Sequence, residues 1–300
     1  MAQKDVKNRI ASVKNIQKIT RAMEMVAAAR LRRAEQRIEA LRPYASAIRR
    51  MTRQAAEAAG NVPNLPILNE HESVSTVGLL LVTGDRGLAG AFNSQIVRAG
   101  IRVAGEHESE GRSLAWYASG RRGVSSLTFR GRDIAGSYTG FTDRPAYGDA
   151  RDIAQDLMTA YVDGDVDQVD IIYNGYVSPL TQHVTRETLL PLQHATILEA
   201  EEDEDEDDDG QPSKRALVEY EPDPEDILKR LIPAYVEISI FRALLESTAS
   251  EHGARMTAMR NASENAGDII KDLTLQMNRE RQAEITQEIL EVVSGAEGLR

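Results

Sequence analysis

The sequence contains no cysteine and few aromatic residues. Disulfides, thiolate metal sites and cysteine nucleophiles are therefore excluded. Aromatic residues make up 5% of the 300 residues, so aliphatic side chains must form most of the core, as in long helical proteins. No apolar run approaches the roughly 18 residues that a membrane span requires. The N-terminus also lacks the apolar stretch of a secretory signal. The composition predicts a soluble or peripheral chain without a direct membrane span.

The negative charge is concentrated in one short segment. Ten of the eleven residues from Glu199 to Asp209 are acidic, so the rest of the chain carries −1 of the net −11. Residues 1–58 hold fourteen Lys and Arg against five Asp and Glu, whereas residues 223–300 hold nine against fourteen. Opposite charges at the two ends favour their lying side by side, although salt screening makes this a modest effect.

Both ends of the chain have the apolar spacing of long helices. The apolar spacing of residues 3–58 predicts one helix. Pro43 lies inside it and predicts a kink or a break near Arg42. A second helix is predicted from Asp223 onward, with Asp223 as N-cap and Pro224 at the first helical position. About 70 residues of helix span roughly 105 Å. Because no compact domain has a core that wide, this helix must pair with residues 3–58.

The middle of the chain alternates predicted strands with predicted helices. Strands are predicted at 77–82, 113–118 and 169–173, and helices at 93–103 and 149–162. This alternation indicates a small domain with a largely parallel sheet. Residues 199–212 are predicted to be an acidic disordered loop, because such a composition cannot form a packed core.

Together these patterns predict an α/β fold class with two terminal helices. The helices, in residues 1–60 and 223–300, form a long antiparallel coiled coil. The segment between them, residues 61–222, is an inserted Rossmann-like α/β domain.

Three groups of residues invite a functional interpretation. The glycine-rich turn after the first strand could bind phosphate, but its G-x-x-G-x-x-G spacing is not a nucleotide-binding fingerprint. We therefore interpret it as a structural turn, with the residues Gly84, Asp85, Arg86, Gly87 and Gly90. A basic stripe could be a nucleic-acid footprint or a solvated face: Arg21, Arg30, Arg32, Arg33 and Arg37. The five histidines show no metal-ligand spacing.

Three long segments carry a resemblance to a known family. They are residues 10–28 (IASVKNIQKITRAMEMVAA), residues 84–93 (GDRGLAGAFN), and residues 244–288, which contain ASEH and RQAEITQE. In this order they resemble the gamma subunits of F-type ATP synthases, and the similarity covers nearly the whole chain. Because the first residues already match, we expect no transit peptide and a bacterial source.

The resemblance implies a non-catalytic rotor subunit without a cofactor. Its expected partners are the alpha and beta subunits, the epsilon subunit and the c-ring, at the cytoplasmic face of the bacterial plasma membrane. It implies rotor–stator contacts at Met23, Arg30, Arg33, Arg281, Gln282, Thr286 and Gln287, and a shaft tip at Ile285, Ile289, Leu290 and Val293. The basic stripe would then meet acidic loops of beta rather than nucleic acid. Two alternatives remain open: a coiled-coil adaptor or nucleic-acid-binding protein, and a nucleotide-binding enzyme built on residues 73–195.

Overall fold

A computed structural model describes residues 3–59, 66–68, 71, 73–179, 181–192 and 224–297. Over these residues the chain forms five α-helices, a short 3-10 turn and five strands. The helices are α1 (Gln3–Ala59), α2 (Phe92–Ser109), α3 (Arg121–Phe129), α4 (Tyr147–Val162) and α5 (Pro224–Glu297). The strands are β1 (Thr76–Val82), β2 (Ser113–Ser119), β3 (Ile134–Tyr138), β4 (Gln168–Tyr176) and β5 (Gln182–Leu190). The predicted acidic loop 199–212 and the predicted N-cap Asp223 lie outside the described residues.

The chain divides into two compact units. One, the helix-pair unit, contains residues 1–29 and 255–300, and the other, the domain unit, contains residues 30–254. Both long terminal helices and the inserted α/β domain agree with the predicted fold class. The predicted domain boundaries at 60 and 223 stay a prediction.

The domain unit is built on a five-stranded sheet in the order β3-β2-β1-β4-β5. The first four strands are parallel, and β5 pairs antiparallel with β4 at the edge. The order 3-2-1-4 is that of a Rossmann-like half. Residues 77–82 of β1 are all buried, as a parallel strand covered on both faces requires.

Helices cover both faces of this sheet. Leu80 and Val82 of β1 belong to a core that contains α4 and buried residues of α1 and α5. Leu79 and Leu81 point to the other face, into a core with α2 and α3. Alternation of side chains along a strand explains this division. The long helices are therefore part of the hydrophobic core of the domain unit.

Helix α1 continues through Pro43, so the break predicted near Arg42 is wrong. Proline removes one backbone hydrogen bond and costs about 3 kcal/mol inside a helix. Nearby packing offsets that cost, because Ala45 and Ile48 are buried in a cluster with Ile238 of α5.

A charged cluster joins α5 to the sheet inside the domain unit. Arg242 donates to Glu187 at 2.7 Å and to the hydroxyl of Tyr173 at 3.1 Å. A second carboxylate, Glu246, lies 3.4 Å from the same guanidinium. Burial raises the pKa of Glu246, while Arg242 opposes that shift. Folding therefore makes ionisation of Glu246 less favourable than it is in the unfolded chain.

Replacing Glu246 with glutamine should stabilise the domain unit at neutral pH. A carboxylate whose folded pKa is raised contributes stability at low pH and loses it as pH rises through that folded pKa. We expect E246Q to raise the free energy of unfolding more at pH 8 than at pH 4, because the desolvation cost falls on the ionised carboxylate. Urea unfolding at both pH values measures this, with E39Q at an exposed position as the control. An equal gain in the free energy of unfolding at both pH values would contradict the proposed link between stability and ionisation of Glu246.

Candidate functional site

The helix-pair unit is antiparallel and is held by polar contacts. Glu24 accepts from Arg260 at 2.9 Å, and the hydroxyls of Thr20 and Ser263 are 2.7 Å apart. The amide of Gln17 donates to the main-chain carbonyl of Ser263 at 3.1 Å. In these contacting pairs the residue number on α1 rises as the residue number on α5 falls. This confirms the antiparallel pairing that the sequence predicted.

This register leaves the end of α5 without a helical partner in the described part of the chain. Because Thr20 lies opposite Ser263, Gln3 lies opposite about residue 280 by helix geometry. Residues 281–292 of α5 are exposed at every position. The described polar contacts of this segment lie along the helix itself: Thr286 donates to the carbonyl of Gln282 at 2.8 Å, and Gln287 donates to Glu291 at 3.0 Å.

The exposed end of α5 carries both predicted groups of contact residues. Arg281, Gln282, Thr286 and Gln287 are all exposed. Three of the four predicted tip residues are large apolar side chains that are about half exposed or more: Ile285 (47%), Ile289 (58%) and Leu290 (60%). Val293 lies in the same helix, but its side chain is outside the described residues. A run of exposed apolar side chains rimmed by polar groups is typical of an interaction surface.

The predicted contact residues of α1 differ in their environment. Met23 is half-buried and Arg33 is exposed. Arg30 donates to Asp143 at 2.7 Å, and Arg86 lies 3.5 Å from the same carboxylate oxygen. Although burial acts in the opposite direction, the two guanidiniums lower the pKa of Asp143. Arg30 is thus paired within the domain unit, a contact that the sequence did not indicate.

Asp85 is the centre of the predicted structural turn. Its carboxylate accepts from the main-chain amides of Arg121 at 3.0 Å, Gly140 at 2.9 Å and Thr142 at 3.2 Å. It also accepts from the hydroxyl of Thr142 at 3.0 Å. Arg121 is the first residue of α3, so Asp85 neutralises the positive end of that helix. These amides, which could otherwise hold a phosphate, already have an acceptor.

The turn is also pressed against α5. A Cβ added to Gly84 would lie 2.7 Å from the carboxylate of the buried Glu251, so a larger residue would force that carboxylate to move. Gly84 donates to the side chain of Asn93 at 2.8 Å, which ties the turn to α2. This geometry favours the structural interpretation of the turn over a phosphate site.

No group of three or more His, Asp or Glu in the described ranges could hold a metal ion. Within the same ranges, no helix is long and apolar enough to cross a bilayer.

The described elements define a class of protein in which two long terminal helices pair and an α/β domain is inserted between them. A family model described as ATP synthase matches residues 2–299. Among curated relatives, an ATP synthase gamma chain of Rubrobacter xylanophilus is 42% identical over 99% of this chain and 98% of its own length. That of Streptomyces coelicolor is 43% identical over 98% and 94%. The chain belongs to the ATP synthase gamma chain family.

Solved structures agree with this assignment. The central stalk and c-ring structure of the Tetrahymena thermophila mitochondrial ATP synthase contains a chain that is 27% identical, with a TM-score of 0.60 over 82% of this chain and 99% of that one. A chain of the Euglena gracilis mitochondrial ATP synthase has a TM-score of 0.69 over 99% and 94%, and its 18% identity supports the fold alone. The resemblance found in the sequence is confirmed, and neither alternative is favoured.

Proposed function

We propose that this chain is the central-stalk rotor of a bacterial F-type ATP synthase and transmits torque between a proton-driven c-ring and the catalytic alpha and beta subunits. The observation that carries the proposal is the end of α5. It extends past the start of α1 and exposes apolar and polar side chains at every turn from residue 281 to residue 292. An exposed apolar surface of this kind lowers the solubility of a protein unless a partner covers it.

The partners follow from the family and from the chemistry of this surface. The exposed apolar side chains of α5 would turn within a sleeve of alpha and beta residues. Arg281 and Gln282 would hydrogen-bond to carboxylate or carbonyl acceptors of beta, because a guanidinium suits planar acceptors. The domain unit would contact the epsilon subunit and the c-ring at the cytoplasmic face of the plasma membrane.

In this role the chain performs no covalent chemistry of its own. Its turn at Gly84–Gly90 directs a carboxylate, not free amides, at the start of α3. It would act by favouring different nucleotide affinities at each catalytic site as it rotates, which requires contacts that differ between orientations.

Co-purification tests the proposed assembly. A tagged copy of this chain, expressed in place of the native gamma chain, should recover the alpha, beta and epsilon subunits in stoichiometric amounts with ATPase activity. Purified alone, the chain should neither hydrolyse ATP nor bind DNA with a steep dependence on salt. Recovery of the chain free of these subunits, or either activity in isolation, would contradict the proposal.

A charge at Met23 should weaken coupling. Met23 is half-buried on α1, and its neighbours Ala22 and Ala27 are small. A lysine there would add a cation near the proposed acidic loops of beta and near the basic stripe. We expect M23K to assemble normally but to pump several-fold fewer protons per ATP, measured by acidification of membrane vesicles. M51K, at an exposed position of the domain unit, is the control, and unchanged pumping in M23K would count against the proposed contact.

A further inference from the structure

The seam, meaning the residues of α1 and α5 that face each other in the helix-pair unit, changes from apolar to polar in its middle. On α1, buried or half-buried positions recur at alternating spacings of four and three, as in a coiled coil. They are Val6, Ile10, Val13, Gln17, Thr20, Glu24 and Ala27. Three consecutive positions of this repeat are therefore polar, between apolar positions on either side, and Met23 beside Glu24 is half-buried as well.

The facing helix shows the same change. The seam of α5 contains Met259, Ser263, Ala266, Ile270, Leu273 and Met277. The small residues Ser263 and Ala266 face the polar part of α1. The buried Met259 lies at one end of this part, and the larger apolar residues Ile270, Leu273 and Met277 lie beyond its other end. A Cβ added to Gly267 would lie 3.1 Å from the amide nitrogen of Gln17, so glycine makes room for that side chain.

Apolar side chains of the same part of α1 point outward instead. Ile16 is 53% exposed and Ile19 is 59% exposed, although both neighbour the polar seam positions. Met25 and Val26 are 64% and 54% exposed. Between residues 16 and 26 the helix pair is therefore held by hydrogen bonds, one ion pair and the half-buried Met23. Four other large apolar side chains face away from the seam: Ile16, Ile19, Met25 and Val26.

We propose that the polar seam, defined as Gln17, Thr20, Glu24, Arg260 and Ser263, divides the helix pair into two parts that open separately. Burial of apolar area couples successive turns of a coiled coil, whereas exposed ion pairs and partly hydrated hydrogen bonds contribute little. Arg260 is 52% exposed, so water reaches the ion pair with Glu24. Opening of the part near the start of α1 thus stops at the polar seam. The inference concerns the pairing of the two helices and does not depend on the proposed function.

Hydrogen exchange of the full chain tests this division without any mutation. Amides of residues 6–13 and 270–277 should exchange at least tenfold faster than amides of residues 25–29 and 255–259. The change should occur as a step across residues 17–24. A gradual rise toward the helix start would indicate ordinary fraying, and equal protection in both parts would also overturn the proposal.

Replacing the polar seam with apolar residues should make the two parts of the helix pair open together. In the variant Q17L/T20V/S263A, exchange at residues 6–13 and 270–277 should slow at least tenfold, and the step should disappear. The control N15L/K18V/N261A makes the same kinds of substitution at exposed positions of the same helices. Slowing no greater than in the control would overturn the proposal. If the seam variant does not fold, the step in the unmodified chain remains the deciding measurement.

Discussion

Replacing Asp85 with alanine is expected to lower the free energy of unfolding of the domain unit by about 3 kcal/mol, a factor above 100 in the folding equilibrium. The carboxylate receives three main-chain amides and one hydroxyl, which join the turn after β1 to α3 and to the segment before α4. Its side chain is 14% exposed, so water cannot replace all four contacts. Leaving donors without acceptors costs more than losing the hydrogen bonds themselves.

Urea unfolding of the purified chain measures the effect of D85A. D85N keeps the volume and one carbonyl acceptor, so it should lie between D85A and the unmodified chain. D133A, at an exposed position in the same domain, is the control and should change stability by less than about 0.5 kcal/mol. If D85A unfolds like the control, Asp85 does not organise the turn.

The second large effect is expected at Arg281, where alanine should slow ATP turnover of the assembled complex roughly tenfold. A hydrogen bond to an ionised partner contributes about 1.5–3 kcal/mol, and 1.4 kcal/mol corresponds to a factor of ten. In the proposed rotor such a contact exists in only some orientations, because the shaft is asymmetric. Its loss therefore shifts the populations of the rotary dwells and leaves the catalytic chemistry unchanged.

The measurement for Arg281 is multi-site ATPase turnover of purified complex with stoichiometric R281A subunit. R279A removes an arginine that is also exposed, two residues earlier and on a different side of α5, and it should retain turnover close to that of the unmodified complex. Nucleotide affinity of isolated beta subunits should stay unchanged. Unmodified turnover in R281A would mean that this side chain is only solvated.

The sequence predicted the elements whose apolar pattern is strong. β1 contains a continuous apolar run, β4 is mostly apolar, and the terminal helices have long apolar periodicity, so tertiary packing and local pattern agree. It did not predict α3, β3 or β5. Helix α3 has nine residues and contains Gly123, and β3 contains Gly136, so local propensity is weak in both. Packing on the sheet determines these elements.

The contact residues were harder to place than the fold. Ile16 and Ile19 have helical apolar spacing, yet the structure exposes them and turns Gln17 and Thr20 into the seam. Spacing alone cannot distinguish an apolar stripe that packs within the chain from one that meets a partner. The pairing of Arg30 with Asp143 joins residues 113 positions apart, which no local pattern reveals.

Rotation of the chain inside the assembled complex tests the central claim most directly. The chain has no cysteine, so S125C, at an exposed position of α3, introduces a single site for a bead or a fluorescent rod. With the alpha and beta subunits fixed to a surface, the label should turn in one direction when ATP is added, and it should stop when ATP is removed. A complex that hydrolyses ATP while the label on this chain stays stationary would contradict the account.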